Sequence, residues 1–124
     1  MYANMYSPEL LDHFQNPRNV GELPGEGALR VEMSNPACGD IMHLAARFEN
    51  DTVAEVRFKV RGCTASIAAG SALAELMEGK STRDLKLFTA TTIEDALGGL
   101  APASKHAAVL CIDALRRLLA AHKV

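Results

Sequence analysis

Four side chains in this sequence could hold a soft metal or carry thiol chemistry: Cys38, Asp40, Cys63 and His106. Cys63 stands in Phe58-Lys-Val-Arg-Gly-Cys-Thr-Ala-Ser-Ile67, which reads as a strand end, a Gly-Cys turn and the first turn of a helix of small residues. Helical N–H groups point outward at such a turn and favour negative charge, so a thiolate there is available as nucleophile or ligand. Cys38 and Asp40 share the turn Asn35-Pro-Ala-Cys-Gly-Asp40. Two thiolates, a carboxylate and an imidazole suit zinc or iron, and two or more thiolates are the usual anchor of an iron–sulfur cluster. Oxygen or nitrogen in place of thiolate weakens the hold on a soft cluster, as a protein that gives its cluster away needs. Taken singly each residue has an ordinary reading: a lone Cys is a small buried hydrophobe, Asp after Gly a turn residue, His106 a capping or surface histidine. Their convergence in space decides between the two readings.

The elements that position them follow from periodicity. Leu29, Val31 and Met33 alternate with Arg30, Glu32 and Ser34, which predicts a strand. A second strand is expected from about Ile41 to Phe48, with Met42, Leu44, Ala46 and Phe48 on one face, and a third from about Val53 to Val60. Glu49-Asn50-Asp51 is a hairpin turn. Short turns between consecutive strands imply an antiparallel meander, because parallel neighbours need long crossovers. The start of the second strand and the end of the third then share one edge, which brings Cys38, Asp40 and Cys63 together.

Helices occupy the rest. Ser7 and Pro8 open a short one through about Phe14. A second runs from Ala65 to Glu78 before Gly79. Ser81 caps a short one through Leu87, Thr91 opens another, and the longest spans about Ala103 to Ala121. His106 lies in the first turn of that last helix. Cys111 lies five residues on, about 140° round the helix from His106, and is expected to be buried and structural. His13, His43 and His122 show no converging partners and are read as structural. Strands first and helices after predict an α+β fold, a three-stranded antiparallel sheet with helices packed on one face.

The chain has 124 residues, expected to form one domain over 1–124. Nearly half are hydrophobic, so a real core is within reach. The net charge is −2 and no Lys/Arg run occurs, against nucleic acid as main ligand. No apolar run is long enough to span a membrane. Three distant cysteines, with no signal-peptide pattern, predict reduced thiols and a cytoplasmic location.

These residues carry a resemblance to the iron–sulfur cluster assembly scaffolds of the IscU/NifU N-terminal type. The matching segments are His13-Phe-Gln-Asn-Pro-Arg-Asn-Val-Gly21, Asn35-Pro-Ala-Cys-Gly-Asp40, Phe58 to Ile67 and the pair Lys105-His106, in family order. The resemblance implies the α+β fold of IscU and SufE. It implies a non-enzymatic scaffold that receives sulfur from a cysteine desulfurase and iron from a donor, builds a [2Fe–2S] cluster and passes it to acceptor proteins. Cys38, Asp40, Cys63 and His106 match the family's ligand positions, where zinc can bind when no cluster is present. One position departs: the cysteine that follows the His in the family is here Ala107. The motif read by the dedicated chaperone survives only as Leu100-Ala-Pro-Ala-Ser104, which argues against that chaperone as partner. Two other readings remain open: a zinc-binding relative that binds or regulates the desulfurase, and a thiol enzyme with Cys63 as nucleophile and His106 as base.

Overall fold

A computed structural model of the chain describes residues 6–36 and 39–122. The strands are β1 (Ala28–Asn35), β2 (Asp40–Glu49) and β3 (Thr52–Arg61), and the sheet order is β1-β2-β3, antiparallel throughout. Glu49 pairs with Thr52 across a two-residue turn. Asn50 and Asp51 both have positive φ, 53° and 63°, as the tight hairpin turn that matches strand twist requires. Asn35 pairs with Asp40 and Ile41 with Arg61, so the start of β2 and the end of β3 share an edge. A bulge between Arg47 and Phe48 is the one departure from regular register between β2 and β3.

The inner face of the sheet presents Met42, Leu44, Ala46, Val56 and Phe58, all buried. Two helices cover it. The first is α2 (Thr64–Met77), which packs on β3; the second is α5 (Lys105–Ala121), which packs on β1 and β2. Ten of the fourteen α2 residues are buried, so this helix is enclosed on most sides and its small side chains allow that. Gly70 shows why they must be small. A Cβ there would lie 2.6 Å from the Phe58 ring and 3.2 Å from Val60. Burying Phe58 contributes about 1.5–3 kcal/mol, and it seats only against a helix face without a side chain at that point.

Helix α1 (Pro8–Gln15) packs on α2. Ser7 caps it, its Oγ accepting from the Leu10 N–H at 3.0 Å, with Pro8 at the first helical position. His13 on α1 is buried, and its Nδ1 meets Ser71 Oγ of α2 at 2.7 Å. Its Nε2 lies 3.6 Å from Glu75. The other histidines have partners too: His43 stands 3.6 Å from Glu32 across the sheet, and His122 stacks on Phe48 and bonds Asp51 at 2.9 Å. None of the three joins a cluster of potential ligands among the described residues; each makes structural contacts with other elements.

The remaining helices shift slightly from expectation. Ser81 caps α3 (Thr82–Leu85), which stops two residues early and leaves Leu87 75% exposed. Thr89 caps α4 (Ala90–Ala96), its N–H donating to Thr92 Oγ1 at 3.0 Å, so this helix begins one residue before Thr91. Pro102–Ser104 form a 3-10 turn, and the α-helical geometry begins only at Lys105.

Candidate metal centre

Asp40 opens β2, and the chain leaves β3 through Gly62 directly opposite it. Close approach is what Gly62 provides there. A Cβ would lie 2.6 Å from Asp40 Cγ, and 2.7 and 2.9 Å from its two oxygens, while its φ stays outside the left-handed region. Gly62 is therefore required for the carboxylate beside it rather than for turning the chain. The carboxylate is 5% exposed, and a buried charge needs hydrogen bonds or a counter-ion. Ser66, one turn into α2 and buried, donates its hydroxyl to Asp40 Oδ2.

Cys63 is the N-cap of α2 with extended backbone, φ −75° and ψ 170°. Its side chain makes no capping bond, so the sulfur is directed elsewhere. Sγ lies 3.7 Å from Asp40 Oδ2 and 3.3 Å from Ser66 Oγ. His106 arrives from the start of α5. Its Nδ1 donates to the Ala103 carbonyl at 3.1 Å, in the 3-10 turn. A carbonyl only accepts, so the proton sits on Nδ1 in the neutral ring and the Nε2 lone pair faces the site. Backbone-fixed imidazoles of this kind are the usual arrangement at metal sites.

His106 Nε2 lies 3.7 Å from Cys63 Sγ and 3.5 Å from Asp40 Oδ2. The three donor atoms thus form a triangle with edges of 3.7, 3.7 and 3.5 Å. Tetrahedral zinc holds sulfur at about 2.3 Å and nitrogen or oxygen at about 2.0–2.1 Å, which separates such donors by about 3.3–3.6 Å. The triangle is within a few tenths of an ångström of that spacing, so these residues fit a metal with little movement. Asp40, Cys63 and His106 are also the group of potential ligands that clusters among the described residues. The structure brings these three together; Cys38 lies outside the described residues.

Ala107, next to His106, is buried and offers no donor atom. Cys111 is 1% exposed in the core, and burial pushes its thiol up to about 12. Its burial agrees with the helical geometry expected for it. Two participants escaped the sequence reading. Ser66 looked like one more small residue of a packed helix, and the Ala103 carbonyl has no side-chain signature. The only available hint was spacing, since a hydroxyl three residues after a helix-capping cysteine lies on the cysteine's side of the helix.

The chain is similar to known proteins over most of its length. Residues 5–124 match the family model described as NifU-like N-terminal domain. A bifunctional protein NifU/MnmA of Rubrobacter xylanophilus is 45% identical over 114 residues; the match covers 90% of this chain and spans 23% of that relative's length. An iron–sulfur cluster assembly scaffold protein IscU of Archaeoglobus fulgidus is 36% identical over 115 residues, covering 93% of this chain and 74% of the relative. Among solved structures, a proposed iron–sulfur cluster assembly scaffold for the SUF system from Fervidobacterium islandicum superimposes with a TM-score of 0.76 at 22% identity. That superposition covers 96% of this chain and 99% of the other, and at this identity it speaks for the shared fold. The chain, with its meander, its two covering helices and its clustered Asp, Cys and His, belongs to the NifU-like N-terminal domain family.

Proposed function

We propose that this chain is a scaffold in iron–sulfur cluster assembly. It binds iron and a [2Fe–2S] cluster as cargo at Cys38, Asp40, Cys63 and His106 and passes the cluster to acceptor proteins. Sulfur comes from a cysteine desulfurase and iron from a separate donor. The protein acts by binding and templating, so it is not an enzyme, and a cytoplasmic location suits its reduced thiols. Among the described residues no helix is long and apolar enough to cross a membrane.

The observation that carries the reading is the triangle of Asp40 Oδ2, Cys63 Sγ and His106 Nε2, with edges of 3.5–3.7 Å. Each residue has a separate task. Cys63 supplies a soft thiolate at a helix N-terminus, where negative charge is favoured. His106 presents a lone pair fixed by the Ala103 carbonyl. Asp40 supplies a hard oxygen oriented by Ser66. Mixed hard and soft donors hold a sulfide-rich cluster less firmly than four thiolates would, which suits release to an acceptor.

One observation favours a second reading. Ala107 offers no donor beside His106, and the Cys111 thiol is sealed in the core. With fewer thiolates at hand, the site could keep zinc, in a relative that binds or regulates the desulfurase without building clusters.

Transfer separates the two. The protein is loaded anaerobically with ferric iron and sulfide, freed of excess by gel filtration and mixed with an apo-ferredoxin. The scaffold reading predicts a ferredoxin spectrum that grows at the expense of the scaffold's. Tightly held zinc that iron does not displace, with no transfer, would favour the second reading.

A further inference from the structure

The outer face of the sheet, opposite the covering helices, has a charge pattern the metal centre does not use. On β3 the outward positions Arg57, Lys59 and Arg61 alternate with inward Val56, Phe58 and Val60. Arg30 and Arg47 lie on the same face of β1 and β2, beside Glu32 and Glu55. Basic groups thus outnumber acids on this face, although the chain as a whole carries −2. Like charges lined up at alternate positions of one strand repel, and a stable protein keeps them only where they face solvent or an anion.

The face is also concave. A cavity of about 450 Å³ lies between the sheet and the segment before β1, lined among others by Leu23, Arg30, His43, Ala45, Arg57 and Lys59. Its wall is fixed: Gly21 N–H donates to the Phe58 carbonyl at 3.0 Å, Leu23 is 3% exposed, and Arg30 donates to the Leu23 and Gly25 carbonyls. Its floor is Ala45, a small residue between Arg30 and Arg57 in the cross-strand row. A second hollow of about 230 Å³ shares His43 and Lys59 with the first and continues to Ile41 and Arg61. Together they form one groove along β2 and β3 that ends two residues before Cys63.

Within it, Lys59 has a carboxylate partner, Glu22 at 3.1 Å, in an exposed pair of small worth. Among the described residues the Arg57 side chain bonds only the Val56 carbonyl, and the Arg61 side chain has no hydrogen bond or ion pair. From Arg57 to Arg61 the row of cations is about 13 Å long, at about 6.7 Å per alternate residue. The row is longer than a small carboxylate or phosphate, and its step of about 6.7 Å is the repeat of same-side residues in an extended peptide.

We propose that this groove docks an extended, acidic segment of a partner protein, with carboxylates at alternate positions over Arg57, Lys59 and Arg61. The groove's end at Arg61 lies two residues along the chain from Cys63. The groove's chemistry does not depend on what the metal centre carries.

The test is fluorescence anisotropy with metal-free protein and a dye-labelled seven-residue peptide in which Glu alternates with Thr. A control peptide has the same composition with its glutamates contiguous. The alternating peptide binds at low salt, at least about threefold tighter than the control, and weakens as salt is raised. Replacing both arginines, Arg57→Glu with Arg61→Glu, weakens it about tenfold or more. Arg61→Gln, which removes no hydrogen bond among the described residues, weakens it about threefold and guards against misfolding of the double variant. Equal binding of the two peptides overturns the proposal, as does wild-type binding by Arg61→Gln and the double variant. Tighter binding of a single-stranded oligonucleotide of equal charge would assign the groove to phosphodiesters instead. Because the protein is metal-free, failure here leaves cluster binding untouched, and failure of cluster assembly leaves this result standing.

Discussion

Replacing Gly62 by alanine isolates the carboxylate from the rest of the fold. The backbone at Gly62 is outside the left-handed region, so alanine costs little there. The new methyl instead meets Asp40 at 2.6 Å from Cγ and 2.7 Å from Oδ1. Restoring ordinary contact at 3.4 Å moves the carboxylate back by about 0.8 Å, beyond the tolerance of about 0.5 Å within which a binding constellation works. The shift also strains the bond from Ser66 and opens the triangle on its Asp40 corner. Losses from disturbing such supporting contacts run about ten- to a hundredfold in metal affinity, or about 1.4–2.7 kcal/mol. Anaerobic titration with Co²⁺ reads this directly. The thiolate-to-cobalt band reports thiolate ligation, by Cys63 and Cys38 in the proposed site, and the visible bands report coordination geometry. Gly62→Ala should weaken Co²⁺ binding at least tenfold with thermal unfolding within a few degrees of wild type. Wild-type affinity in a folded Gly62→Ala protein would refute Asp40 as a positioned ligand.

Gly70→Ala should do the opposite, costing stability but not metal chemistry. Alanine is the better helix former by about 0.8–1 kcal/mol, yet its Cβ would press on the Phe58 ring at 2.6 Å. A net loss of about 1–3 kcal/mol, read by urea unfolding, is expected, and a stabilised variant would contradict the packing argument. Cys111, buried with its thiol pushed up to about 12, should resist iodoacetamide at pH 8 while exposed Cys63 reacts. Mass spectrometry of the native protein checks this, and labelling of both at one rate would contradict it. His13 is held below its ordinary 6.5 by burial first and by the Arg18 charge second, against Glu75 and Asp12. The native state therefore binds fewer protons at His13 than the unfolded chain. The stability this histidine contributes is full above about pH 6.5 and is lost as pH falls from there through the lowered folded value. His13→Gln should flatten the stability profile between pH 7 and 5, and an unchanged slope would exclude His13 as its source.

The sheet was legible because each strand alternates. Leu29-Val31-Met33 and Val56-Phe58-Val60 mark the inward face with no help from the rest of the chain. Short turns then dictated the meander, and the meander put Asp40 beside Cys63 without any motif. His106 could be placed in the first turn of the last helix, after Pro102, but nothing in the strand pattern brought it to the sheet edge. What stayed hidden were contacts between distant elements. Gly62 has the sequence look of a turn glycine, and only the packed structure shows Asp40 filling the space a side chain would need. Ser66 sits in a run of small residues, where packing alone seemed to account for it. His13 meets Ser71 across 58 positions, a separation no local pattern encodes. The arginines of β3 read as the wet side of a half-buried strand, and the groove above them depends on the segment before β1 folding back onto the sheet.

The central claim is that Asp40, Cys63 and His106, with Cys38, hold an iron–sulfur cluster. Anaerobic reconstitution with ferric iron and sulfide, followed by absorption and iron and sulfide analysis, tests it most directly. Visible cluster bands with equal iron and sulfide are expected in the wild-type protein, with their loss in Cys63→Ala and His106→Ala variants that remain folded. Cluster bands of wild-type intensity in those variants, or none in the wild-type protein, would contradict it.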